Sequence, residues 1–176
     1  MSVLARHGVA LRAALDRIAG ALEWGVKVYC ETDALRRRME TESASLRQLR
    51  ERLAQASPGT AFFLEKKYVK ALENKTSAAI GIRTERIRRS LARCAREAVE
   101  IELQPAALHS RPGHMVMNFA YLVANSSRSQ FRQRLAALRK QFAPLGFDIE
   151  LTGPWPPYHF VSLQQKSLQD AAAPDQ

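Results

Sequence analysis

The chain has 176 residues, 46% of them apolar, and its 27 Lys and Arg against 17 Asp and Glu give a formal net charge of +10. That length and apolar content can bury a real core in one domain or slightly more, and the composition is that of an ordinary soluble chain. No apolar run approaches the ~20 residues that span a bilayer, and Met1–Ala10 carries Arg6 and His7 where a signal peptide needs an apolar block. The reading is a cytoplasmic protein. The basic balance favours acidic partners, whether nucleic acid, an anionic surface or an acidic protein. Cys30 and Cys94 lack any CxxC or Cys/His spacing, so neither zinc nor a disulfide framework is expected, and both read as reduced and buried.

Leu11, Leu15, Ile18 and Leu22 fall on one face of a helix. A strand follows at Glu23–Cys30, with Trp24, Val26, Val28 and Cys30 on one face and Gly25, Lys27 and Tyr29 on the other. Leu35, Met39, Glu42, Leu46, Leu49 and Leu53 then repeat in steps of four and three, the seam of two packed helices, broken only at Glu42, after which packing is expected to begin. Ser57 and Pro58 stop that helix and start another as N-cap and first helical residue. The second arm is expected to run from about Thr60 to about Glu102 with a stripe of Val69, Leu72, Ala79, Ile80, Ile87, Leu91, Cys94, Ala98 and Ile101. The two arms form an antiparallel helical hairpin, 33–102.

Beyond Pro105 and the Pro112–Gly113 loop, Met115–Val123 is apolar on both faces and reads as an inner strand. Phe131, Leu135, Leu138 and Phe142 mark a helix that Pro144–Gly146 ends, and Phe147–Leu151 alternates apolar and charged residues as a half-buried strand. A helical connection between two strands implies a crossover and parallel strands. The last strand enters Thr152-Gly153-Pro154-Trp155-Pro156-Pro157-Tyr158-His159-Phe160-Val161, whose prolines exclude a helix or a central strand. Its aromatics either pack on the domain as a clasp or are offered to a partner, since a stiff segment loses little entropy on docking. Residues 162–176 show no periodicity and read as a disordered tail. The fold class is α+β: a small mixed sheet covered by helices, with a long protruding hairpin.

No residue is placed for catalysis. His7, His109, His114 and His159 have no partner at metal-ligand or triad spacing, and no GxSxG, Walker, GxGxxG or HExxH motif is present. No cofactor is implied, and a small-molecule enzyme has only the loop His109–His114 in its favour. Arg83, Arg86, Arg89, Arg93 and Arg96 form the strongest electrostatic feature. They read either as a solvated helix face or as a stripe that docks phosphate or carboxylate groups. A basic helical module binding nucleic acid is the alternative function, although no aromatic interleaving supports it.

The strings Glu23–Tyr29 (EWGVKVY), Ser57–Lys67 (SPGTAFFLEKK), Ala120–Val123 and Leu151–Val161 with its TGPWPPY core occur in an order that resembles the gas vesicle protein F and L family. The resemblance implies a non-enzymatic accessory protein of gas vesicle formation without a cofactor. Its implied partners are the small hydrophobic shell protein and other gas vesicle proteins, early in assembly, and its place is the gas vesicle. The signature and partner-binding candidates are Gly153, Pro154, Trp155, Pro156, Pro157, Tyr158, Phe160, Trp24, Lys27 and Gly59. The family also has an N-terminal ferredoxin-like domain, of which residues 1–30 look like the final helix and strand, leaving 31–161 as the C-terminal α+β domain. On that reading Trp24, Val26 and Val28 lie on an exposed apolar edge strand. Either Met1 is an internal start or another chain completes the sheet.

Overall fold

The computed structural model describes residues 3–109 and 111–161, with the backbone alone at 3–7 and 9–11. The expected tail at 162–176 and the side chain of Leu11 lie outside the described residues. In chain order the elements are α1 (Val3–Ile18), β1 (Ala21–Cys30), α2 (Thr32–Glu42), α3 (Ala44–Ala54), α4 (Pro58–Ala92) and β2 (Glu97–Glu100). They continue with β3 (His114–Ala124), α5 (Arg128–Phe142), β4 (Phe147–Trp155) and α6 (Tyr158–Val161).

The four strands form one sheet in the order β2-β3-β1-β4. Both β3 and β4 pair antiparallel with β1, so they run in the same direction, as a helical crossover through α5 requires. Yet β1 lies between them. Every neighbouring pair is therefore antiparallel, and the expected mixed sheet is corrected to an antiparallel one within the α+β class.

The central place of β1 also overturns the expected edge strand. Trp24, Val26 and Val28 are only 4%, 0% and 0% exposed because the chain itself supplies a strand on either side. No second chain is needed to cover them. Residues 21–30 thus belong to the same sheet as the strands after residue 31, and no boundary after Cys30 divides it.

One face of the sheet carries Trp24, Val26, Val28, Met117, Tyr121 and Ile149 against Leu35, Ile87, Leu91, Phe131, Leu135 and Phe142 of α2, α4 and α5. Cys30 and Cys94 are buried there as free thiols, as expected. Each large side chain removed from water contributes about 1.5–3 kcal/mol, which makes this the main core. The opposite face holds a smaller cluster, Ala21, Ala120, Leu122 and Phe160, with Ile18 and Ile101 against it. Both faces of β3 are consequently buried.

The hairpin departs from the sequence reading at three points. Its first arm breaks at Ser43, whose hydroxyl caps α3 by accepting from the Leu46 amide at 3.4 Å. The break turns Glu42 out to solvent, where it pairs with Arg38 at 2.6 Å. Packing therefore starts before Glu42, with Leu35, which is 1% exposed. The second arm ends at Ala92 rather than near Glu102, after 35 residues, about 52 Å of helix. Residues Glu97–Glu100 instead pair with β3, Ile101 N–H adds a bond to Asn118 O at 2.9 Å, and the apolar pair Val99 and Ile101 has strand spacing. Finally, Val69 is solvent-exposed at 48% and does not belong to the packing stripe.

Candidate partner-binding surfaces

The aromatic segment is built from the end of β4. Gly153 has φ +102, a backbone region that L side chains rarely adopt, and a Cβ there would stand 2.9 Å from the Glu23 carbonyl oxygen. The Gly153–Pro154 peptide is cis. After Pro156 and Pro157 the chain makes one turn of helix, α6, with Tyr158 N–H donating to Pro156 O at 2.7 Å and Phe160 N–H to Pro157 O at 3.0 Å. The expectation that the prolines exclude helix fails here for a simple reason. Pro157 precedes the turn, where its missing N–H costs no intrahelical bond.

Three contacts fasten this turn to the body of the protein. Phe160, 1% exposed, is buried with Ala21, Ala120 and Leu122. The Arg17 guanidinium donates to Phe160 O, and Arg17 also pairs with Glu97 at 3.3 Å. Glu23, buried on β1, accepts from His159 N–H at 3.0 Å, and its other carboxylate oxygen lies 2.6 Å from His159 Nδ1. Local spacing offers His159 no partner, because Glu23 is 136 positions away. The available signal was a carboxylate at an inner-strand position, which requires one.

Trp155 and Tyr158 are the exceptions, 51% and 69% exposed. The segment is thus a clasp in part: Phe160 is buried against the body of the protein, and two rings beside it face solvent. The remaining signature candidates lie elsewhere. Trp24 is a core residue on β1, its ring 5.8 Å from the Arg128 guanidinium and its indole nitrogen without a hydrogen bond among the described residues. Lys27 Nζ donates to Gln104 Oε1 at 3.0 Å, and Gly59 sits exposed in the first turn of α4 with open space around it.

The basic stripe resolves into engaged and unengaged arginines. Arg83 is half-buried and donates to Ala79 O at 2.9 Å. Arg89 and its neighbour Arg88 both bind Glu85, and their hydrogen bonds pull the Glu85 carboxyl from its ordinary 4.5 down to about 2. Arg96 lies past the helix end and donates to Arg17 O at 3.2 Å and Ala19 O at 2.8 Å, closing the C-terminal end of α1. Only Arg86 and Arg93 of the five are exposed without an ion pair or hydrogen bond among the described residues.

The histidine loop is fastened to the sheet as well. Arg111 pairs with Asp148 and, at 3.3 Å, with Glu150. Tyr29 donates to Glu150 at 3.0 Å, and the His109 ring meets Tyr29 edge-on at 4.8 Å. Burial and the Glu150 bond push the Tyr29 hydroxyl up to about 12. Among the described residues no group of three or more His, Cys, Asp or Glu could hold a metal ion.

The family pattern described as "Gas vesicle synthesis protein GvpL/GvpF" matches residues 1–162. The chain belongs to that family. It is 29% identical over 157 residues to gas vesicle protein L of Streptomyces sp. (strain CB03234), covering 89% of this chain and 54% of that protein. With gas vesicle protein L of Haloferax mediterranei it shares 25% identity over 155 residues, 86% of this chain and 47% of the relative. It therefore spans about half the length of the curated relatives it matches. The fold is that of the crystal structure of gas vesicle protein GvpF from Anabaena sp. PCC7120, with a TM-score of 0.74 at 18% identity over 93% of this chain and 63% of that one. GvpF from Microcystis aeruginosa superposes with a TM-score of 0.62, also at 18% identity, over 92% of this chain and 62% of the other. Members of this family are gas vesicle structural or accessory proteins rather than known enzymes. No helix among the described residues is long and apolar enough to cross a membrane.

Proposed function

We propose that this GvpL/GvpF family chain is an accessory protein of gas vesicle formation that binds the hydrophobic shell protein and other gas vesicle proteins early in assembly. It is cytoplasmic until it joins the vesicle. The observation behind this reading is the pair of exposed rings, Trp155 and Tyr158, carried on a segment that Gly153, three prolines, Phe160 and Glu23 hold in place. Aromatic area offered on a rigid support binds apolar surface with little loss of conformational freedom. Arg86 and Arg93 add unengaged guanidinium groups for acidic surfaces of co-assembling proteins.

The test is a pull-down of the tagged chain from vesicle-forming cells, with nuclease and moderate-salt washes, followed by identification of retained proteins. The wild type is expected to retain the shell protein, and Trp155→Ala/Tyr158→Ala to lose it while remaining folded. Arg86→Glu/Arg93→Glu is expected to lose the accessory proteins and the salt dependence of their retention. Retention of shell protein by the folded aromatic variant would reduce the segment to a clasp. Recovery of nuclease-sensitive material alone would replace this reading with nucleic-acid binding.

A further inference from the structure

Among the described residues, Glu23 is the one carboxylate buried in the sheet, 4% exposed on β1. A charge in such a place is tolerated only where a partner replaces the water it has lost. Both of its hydrogen-bond partners belong to one residue, the His159 amide at 3.0 Å and the ring nitrogen Nδ1 at 2.6 Å. The amide carries no charge at any pH, so the His159 ring is the only contact among the described residues that brings Glu23 a cation. That ring is 45% exposed and exchanges protons directly with water. It also stands next to Tyr158 in α6, on the turn that carries the exposed rings.

We propose that protonation of His159 fastens the Trp155–Tyr158 segment, which is therefore held tightly in mildly acidic solution and loosens as the pH rises. The proposal concerns the regulation of the aromatic segment, and its consequence for partner binding rests on the function proposed above. When the ring is charged, a salt bridge repays the desolvation of Glu23. When it is neutral, one tautomer turns a lone pair on Nδ1 toward a carboxylate oxygen, and the other leaves a buried charge with neutral donors alone. A released segment lets both groups hydrate separately, so the fastened form binds the proton more tightly. The contribution is present on the acid side of the histidine titration and lost as the pH rises through it. The other charges around α6 do not reverse this sign. On α1, Arg17 donates to Phe160 O and opposes a charged ring, but Glu97 of β2 pairs with it at 3.3 Å. Arg96 is spent on the Arg17 and Ala19 carbonyls, and β3 contributes the uncharged Ala120 and Leu122. Glu23 is in direct contact and shielded from water, which makes its effect on the ring the largest.

Hydrogen exchange of the full chain tests this, read by mass spectrometry on residues 155–161 and corrected for the intrinsic pH dependence of amide exchange. From about pH 5 to about pH 8, where histidines change charge, protection of this segment is expected to fall by at least about threefold. His159→Gln keeps a hydrogen-bonding side chain without a titratable charge, and its protection should match the alkaline wild type at every pH. Glu23→Gln should remove the pH dependence as well, with residues 117–123 of β3 reporting that the sheet is intact. Wild-type protection that does not change with pH, or an equal change in His159→Gln, overturns the proposal. The exchange measurement contains no shell protein, so it is independent of the proposed function. In the pull-down, retention of the shell protein should fall over the same range in the wild type and stay constant in His159→Gln. No retention at either pH, beside the expected exchange result, would count against shell-protein binding alone.

Discussion

Glu23 and His159, 136 positions apart, are joined twice: the His159 amide donates to one Glu23 oxygen at 3.0 Å, and the ring nitrogen Nδ1 lies 2.6 Å from the other. The Glu23 side chain is 5% exposed, so these bonds replace most of its hydration. Glu23→Ala should cost about 2 kcal/mol, as expected for hydrogen bonds to a charged group. Urea unfolding measures that loss, and limited proteolysis should find the chain cut faster at residues 155–161. Unchanged stability and an unchanged cleavage rate would mean that the pair does not hold α6.

Phe160 and Trp155 make opposite demands although they are five positions apart. Phe160→Ala empties a site in the smaller core and should destabilise by about 3–5 kcal/mol. Trp155→Ala, half-exposed, should change stability by about 0.5–1 kcal/mol. Thermal unfolding of the two variants gives the comparison. Similar losses would mean that Trp155 is also an anchor and would weaken its assignment to partner binding.

Gly153→Ala tests the turn that aims the segment. A Cβ would meet the Glu23 carbonyl at 2.9 Å and the Trp155 ring at 3.0 Å, in a backbone conformation that already disfavours side chains. The expected loss is about 1–3 kcal/mol. Trp155 fluorescence should shift with it, because the ring must move to admit the new methyl group. A variant as stable as the wild type, with the same emission, would show that the turn is not rigid.

The strands and the core were legible where periodicity was unambiguous: β3 apolar on both faces, β4 alternating, α5 with its four-residue apolar stripe. The end of α4 was not, because Ala98 and Ile101 fit a helix while Val99 and Ile101 fit a strand, and the free edge of β3 decided for the strand. The place of β1 was also hidden. Its faces follow from alternation, but its neighbours depend on which distant strands reach it. At the candidate surface, the outward aromatics stood out by composition. The partners of Arg96, Arg17 and His159 are long-range, and local spacing carries no trace of them. Val69 fits the packing stripe by period alone, and an exposed row on a helix has the same period as a buried one.

Glu85 provides a pH test with a defined sign. Hydrogen bonds from Arg88 and Arg89 favour its charged form, lowering the carboxyl to about 2 in the folded chain from an ordinary 4.5. The folded state therefore binds this proton less readily than the unfolded state. The contribution is fully present above about pH 4.5 and fades as the pH falls toward 2. Glu85→Gln should accordingly melt below the wild type near neutral pH, with the gap narrowing across that window and closing at its acid end. Added salt should narrow it at every pH, because these groups are partly exposed. A gap independent of pH would mean that Glu85 acts through packing or helix propensity, and that the two arginines beside it are as available for docking as Arg86 and Arg93.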